Sequence, residues 1–165
     1  IGNCSGESVL DLNISLKELS LSPSAVKAFA AASSTLYIKG MPSYAPENVL
    51  DGNPKTCWCE GIVPGNGEGE WIRIDFPQKV KVSRVGITPG YDKSQDIWEC
   101  NNRIKEADII FSDGSKKSVY FEDRRSMQFT NFSTAPRTTY VKIVIKTVRK
   151  GKKYDDTCIS DIKIE

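Results

Sequence analysis

From residue 33 onward the chain is written in short apolar runs parted by turn-forming residues. Ile72, Ile74 and Phe76 alternate with Trp71, Arg73 and Asp75, and Val141, Ile143 and Ile145 oppose Lys142 and Lys146. A period of two sends one set to a core and the other to solvent, as in a half-buried strand. Runs of this kind at 35–39, 70–76, 80–88, 107–112, 117–122, 127–132, 139–148 and 160–164 predict eight strands. Val80 and Val82 fall out of step with Val85 and Ile87, which predicts a bulge near Ser83 and Arg84. Ser112-Asp113-Gly114-Ser115 has the chemistry of a hairpin turn. No long helix pattern alternates with these runs, which argues against a doubly wound or α/β-barrel fold, and the expected class is an all-β sandwich or barrel.

The first 31 residues read differently. Leu10, Leu12, Ile14 and Leu16 alternate as a short strand, and Ser22-Pro23 opens Ala25-Val26-Lys27-Ala28-Phe29-Ala30-Ala31 as a helical turn or two. Residues 1–31 are therefore expected to form an extension or tether, and residues 32–165 the domain.

Composition narrows the function more than it names it. A chain of 165 residues with 39% apolar residues suffices for one core of ordinary size. Charged residues reach 27% but nearly cancel at +2, which argues against a globally basic nucleic-acid binder. No apolar run reaches 18 residues, so no transmembrane helix is expected. The chain contains no histidine. That removes the usual general base, the Ser-His and Cys-His nucleophile pairs and the imidazole ligands of catalytic zinc.

Five cysteines, Cys4, Cys57, Cys59, Cys100 and Cys158, remain to be placed. The Cys-x-Cys spacing is tighter than that of zinc knuckles and the others lie far away, so disulfides in an exported protein are the preferred reading. Cys4, in Ile1-Gly2-Asn3-Cys4-Ser5-Gly6, is the odd one out and suits either a bacterial lipid-anchor site or a free thiol. Asn3, Asn13 and Asn131 each open a glycosylation sequon, a short pattern of low specificity.

Four stretches offer chemistry. Asp51-Gly52-Asn53-Pro54-Lys55-Thr56 concentrates oxygen donors of the type a hard cation such as calcium (Ca2+) prefers, and the same residues suit an Asx turn with Gly52 at positive φ. Residues 90–103 form a long connection that sets Tyr91 and Trp98 beside Lys93, Ser94, Asn102 and Arg103. Such a mixture recognises sugars, because a ring stacks on the apolar sugar face while planar polar groups bond hydroxyls; a structured loop with Trp98 as a plug is the alternative. Lys142, Lys146, Arg149, Lys150, Lys152 and Lys153 make a basic run that suits either a solvated strand and hairpin tip or an anionic partner. Glu60 and Glu68 are the nearest approach to a glycosidase acid and base, held in a Gly-rich loop that fixes no separation between them.

Several blocks in order carry a resemblance. Ala32-Ser33-Ser34-Thr35-Leu36, Tyr44-x-x-x-Asn48-Val49-Leu50-Asp51-Gly52, Thr56-x-Trp58-Cys59-Glu60-Gly61 and Gly67-x-Gly69-Glu70-Trp71-Ile72 resemble the discoidin, or coagulation-factor C-type, family of galactose-binding-like domains. Gly90-Tyr91-x-Lys93-Ser94, Asn101-Asn102-Arg103-Ile104-Lys105, Phe111-Ser112-Asp113-Gly114 and Gly151-x-Lys153-Tyr154-x-Asp156-Thr157-Cys158-Ile159-Ser160 are similar to the branch attached to secreted NADases and found in bacterial surface proteins.

The resemblance implies an eight-stranded jelly-roll β-sandwich whose termini meet, and a non-catalytic role. By motif position it implies a structural calcium held by Asp51, Asn53, Thr56 and Asp161, with Asp161 where a Glu is more usual. The same closure implies Cys59 near Cys158 and leaves Cys57 with Cys100, although four cysteines permit three pairings. The expected function is recognition of a glycan or glycoprotein by a secreted or surface-anchored module through Tyr91, Lys93, Ser94, Trp98, Asn102 and Arg103. Two further expectations are adhesion to host extracellular matrix through the basic run, and binding of anionic phospholipid through an apolar tip at Ile62-Val63-Pro64.

Overall fold

The computed structural model describes Ser22, Pro23 and residues 26–165; the expected strand at 10–16, the lipid anchor at Cys4 and the sequons at Asn3 and Asn13 lie outside the described residues. Nine strands and one short helix follow in order: β1 (Phe29–Ala32), β2 (Trp58–Cys59), β3 (Trp71–Lys81), β4 (Arg84–Pro89), α1 (Gln95–Cys100), β5 (Asn102–Phe111), β6 (Lys116–Tyr120), β7 (Gln128–Asn131), β8 (Arg137–Arg149) and β9 (Thr157–Ile164). A 3-10 helix, Pro46–Leu50, stands between β1 and β2.

The strands run in the order β1-β3-β8-β5-β9-β4-β7, with β6 on β5 and β2 on β9. Pairing is antiparallel except where β5 meets β9 at Asn102–Thr157 and Arg103–Cys158. There the sheet passes from one layer of the sandwich to the other. Between the layers lies one core, in which Ile72 and Ile74 of β3, Ile109 of β5, Ile143 and Ile145 of β8 and Ile159 of β9 are all buried. Each fully buried Ile of this kind contributes about 1.5–3 kcal/mol relative to exposure. The alternation read along β3 and β8 is the one that fills this core.

Three local readings need correction. The stretch 35–39 is not a strand; the edge of the first layer is β1, whose Ala31 pairs with Arg73 of β3. The expected helix over 25–31 therefore ends as a strand, since pairing with the open edge of β3 outweighs alanine's helix preference. The break in phase near Ser83 is not a bulge within one strand but the connection between β3 and β4, while the bulge lies earlier, between Asp75 and Val80. The connection 90–103 carries α1, whose first turn is capped by Ser94 Oγ accepting the Ile97 N–H at 3.3 Å.

Candidate functional site

At one end of the sandwich the sulfurs form the floor of a site. In β2, Cys59 pairs with Cys158 of β9, and the two are bridged by a disulfide across 99 residues. Cys57 is not bonded to Cys100; both are free thiols. The period of two explains it: Cys57, the residue before β2, and Cys59 lie two apart on extended chain and project to the same side, so the Cys57 sulfur sits 3.4 Å from that of Cys59, buried in a small cluster with Tyr91 and Cys158. Cys100 ends α1 and is only half-buried. Burial pushes the Cys57 thiol up from its ordinary range.

Above the bridge opens a cavity of about 170 Å³. Leu36, Ile97 and Cys59 are apolar members of its lining, and Ile38, Met41 and Pro42 border it from the loop after β1. Tyr44, Tyr91 and Tyr154 also line it, and Tyr44 meets Tyr91 edge to face, with ring centres 6.2 Å apart and planes at 88°. The polar groups on its wall are Lys93, Asn101 and Asp156. Tyr91 donates its hydroxyl to the Lys55 carbonyl at 2.9 Å and Asn101 donates its amide to Ile97 O at 2.8 Å, so both are held in place. Burial, more than the neighbouring Asp155, raises the Asp156 carboxyl above the ordinary carboxylate range.

The six side chains expected to hold a ligand separate into two groups. Tyr91 and Lys93 reach the cavity. Ser94 caps α1 instead. Asn102 is fully buried, donating to Asp155 O at 2.6 Å and accepting the Gly151 N–H at 2.7 Å. Trp98 is 7% exposed and donates its indole N–H to Pro89 O at 2.9 Å. Arg103 is 8% exposed, packs on Trp98 and pairs with Asp123. A ring and an amide so enclosed present no free face to a sugar, so these three build the wall behind the cavity. Gly90, at φ +88°, permits that packing, because a Cβ there would stand 2.7 Å from Arg103 Cγ and 2.8 Å from Trp98 Cδ1.

Four side chains of the cavity escaped the reading of residues 90–103: Tyr44, Asn101, Tyr154 and Asp156. All four lie inside the motif blocks quoted above. A tyrosine in a loop, with no strand phase to account for it, was the available signal.

Asp51, Asn53 and Thr56 close into a tight turn. Asp51 accepts the Asn53 N–H at 2.8 Å and the Thr56 hydroxyl at 2.8 Å, and Asn53 Oδ1 accepts the Lys55 N–H at 3.1 Å. This is the Asx geometry, with Gly52 at φ +66°. Asp161 of β9 is close enough to feel Asp51: burial first, then the Asp51 charge, raises its carboxyl above the ordinary range. Two carboxylates, an amide oxygen and a hydroxyl at one corner fit a hard divalent cation, since carboxylate oxygens that accept one hydrogen bond keep a second lone pair.

Glu60 and most of the basic run are occupied within the fold. Glu60 is fully buried and accepts the N–H groups of Ile62 at 2.8 Å and Thr157 at 3.0 Å, so it ties the loop after β2 to β9. The basic run is divided among partners: Lys142 lies 4.4 Å from the Trp71 ring, Lys146 3.8 Å from Asp108, Arg149 5.2 Å from the Tyr120 ring, and Lys152 pairs with Glu99. Ile62 and Val63 are exposed apolar side chains, as are Tyr37, Ile38 and Met41. No helix among the described residues is long and apolar enough to cross a membrane.

This architecture is the jelly-roll sandwich used by carbohydrate-binding modules. The family 32 module of Clostridium perfringens NanJ, solved with galactose, superposes with a TM-score of 0.62 at 19% identity over 83% of this chain and 92% of that one. A pectin-binding module gives 0.61 at 14% identity, covering 85% and 91%. In sequence, the Nuclear receptor 2C2-associated protein of Danio rerio is 26% identical over 115 residues, 68% of this chain and 74% of the relative. The chain belongs to the NAD glycohydrolase translocation F5/8 type C domain family, whose model matches residues 23–165.

Proposed function

We propose that the domain is a non-catalytic module that binds one sugar residue of a glycan or glycoprotein in the cavity above the Cys59–Cys158 bridge. The observation that carries this is the cavity itself, an apolar cup with three tyrosines and a few convergent polar groups at one end of the sandwich. A pyranose has an apolar face for the Tyr44 ring and hydroxyls for Lys93 and Asp156. The resemblance of the fold to modules solved with sugars supports the reading. Glu60, the sole buried carboxylate of the loop after β2, has both oxygens on backbone N–H groups and is not a free acid or base. The disulfide supports work in an oxidising compartment, in a secreted or surface-attached protein.

Calcium at Asp51, Asn53, Thr56 and Asp161 belongs to the same reading as a structural ion. When bound it would supply the positive charge that draws Asp51 and Asp161 together, fixing the 3-10 helix side of the sandwich against β9.

The test is a titration of monosaccharides and glycan fragments followed by amide and tyrosine-ring NMR shifts. The expected result is a set of shifts confined to Tyr44, Tyr91, Lys93 and Asp156, abolished in Tyr44→Ala and Lys93→Ala variants that melt like the wild type. Shifts centred on another face, or binding unaffected by both substitutions, would overturn it.

A further inference from the structure

Resting on the sugar-binding reading of this cavity, we propose that the sugar it selects carries a cationic nitrogen, as a free amino sugar does, and that Asp156 is the residue that selects it. Asp156 is an acid with no cationic partner at the cavity among the described residues. Asp156 lines a cavity built mostly of carbon; burial acts most strongly on its carboxyl, its own backbone N–H bonds it and Asp155 repels it, with no cation among these influences. Lys93, the one lysine on the wall, is exposed and forms no ion pair with it among the described residues.

A half-buried carboxylate beside apolar side chains is costly unless it meets a compensating charge or strong donors. An ammonium supplies both, through charge-assisted hydrogen bonds about twice as strong as those of a hydroxyl. The aromatic walls favour the same guest. Tyr44 and Tyr91 stand perpendicular at 6.2 Å, and Tyr154 at the cavity already carries the Lys153 ammonium 5.0 Å from its ring centre. Rings set at an angle around a carboxylate are the arrangement that attracts an alkylammonium through the negative faces of the π-systems.

The Asp156 charge reaches the neighbouring groups. Burial, then Cys57 and Asp156, raise the Tyr44 phenol above its ordinary range, and Asp156 is also felt by Glu60. The main chain that carries this side chain is anchored where β5 begins, because the Asp156 backbone carbonyl accepts the Asn102 N–H at 3.0 Å. Acetylation of the sugar nitrogen would remove the charge and leave a neutral amide at the same position.

The experiment compares methyl glycosides of galactosamine and glucosamine with their N-acetylated forms and with galactose and glucose, by calorimetry or NMR titration at neutral pH. The amine is expected to bind about tenfold more tightly than the parent hexose of the same configuration, and Asp156→Asn, with an unchanged melting temperature, to erase that margin. Equal affinity for amine and hexose, tighter binding of the N-acetyl form, or a preference that survives Asp156→Asn would overturn the inference while leaving a sugar site in place. Absence of binding by every glycoside, or binding indifferent to Tyr44→Ala, would remove the sugar-site reading and this inference with it.

Discussion

The guanidinium carbon of Arg103 lies 4.3 Å from the centre of the Trp98 ring, while its Nε and Nη2 bond the Asp123 carboxylate at 2.9 and 3.3 Å. The remaining Nη1 donates to the carbonyls of Trp98 at 3.2 Å and Asn101 at 3.1 Å. One side chain thus closes the C-terminal end of α1, stacks on its tryptophan and holds the loop that carries Asp123. These contacts support the cavity from behind.

Arg103→Ala should therefore act on stability before it acts on binding. Two main-chain carbonyls lose their donor and the Trp98 ring loses its cover, while the exposed Asp123 carboxylate is left to water, so the cost is roughly 1–3 kcal/mol, that of buried acceptors left unsatisfied. Urea unfolding should show a large drop in midpoint, with Arg103→Lys intermediate because a lysine ammonium lacks the fork that spans both carboxylate oxygens. An alanine variant as stable as the wild type would show that the stack is not structural.

How far the sequence led depends on what each residue answers to. Ile72, Ile74, Val141, Ile143 and Ile145 answer to burial, a local alternating pattern with a large free energy behind it, and their strands were legible. Phe29–Ala32 answers to the edge of β3, some forty residues away, and nothing in four small residues announces that partner. Trp98 shows the same limit within the candidate site. Its neighbours by composition read as a sugar platform, yet the packing of Gly90, Pro89 and Arg103 around it turns the ring inward. The pairing of Cys59 with Cys158 followed from a resemblance, whereas the place of Cys57 was set by which side of a two-residue strand it leaves.

Removing the bridge by a Cys59→Ala/Cys158→Ala double substitution should destabilise the domain by about 4–5 kcal/mol, the loop-entropy value for a closure of this length. Denaturant unfolding checks it. Since Cys59 also lines the cavity, sugar affinity is expected to fall in the same variant, whereas a stable variant with full affinity would contradict both roles.

Cys57 and Cys100 should differ sharply as thiols. Burial holds the Cys57 thiol protonated and walled in, so a maleimide at neutral pH has neither thiolate nor path. In a Cys4→Ser background, peptide mapping should find Cys100 modified in the native protein and Cys57 only after denaturation. Early labelling of Cys57 would show that the sulfur cluster opens.

Calcium should raise the melting temperature in proportion to its occupancy, with about 2.7 kcal/mol of added stability at a hundredfold excess over the dissociation constant. Asp161→Asn should remove most of that gain and Asp156→Asn none, because only the first carboxylate shares a corner with Asp51. A calcium response equal in all three proteins would place the ion elsewhere.

Asp108 sets an acid limb whose sign is fixed by its surroundings. The Ser118 hydroxyl, bonded at 2.6 Å, is the largest influence, and with Lys116 and Lys146 it outweighs burial and lowers the carboxyl below its ordinary value. In the unfolded chain the same group titrates near about 3.9. The folded protein therefore binds this proton less readily, so the contribution is complete above the unfolded value and is lost as the pH falls through the lower, folded one. Urea midpoints measured from neutral to strongly acid pH should decline at the acid end in the wild type. Asp108→Asn should be less stable at neutral pH and should show a shallower decline, since the amide keeps the Ser118 contact but carries no charge for the two lysines. If the two proteins lose stability in parallel on acidification, the carboxylate over β6 and β8 is not what the lysines stabilise.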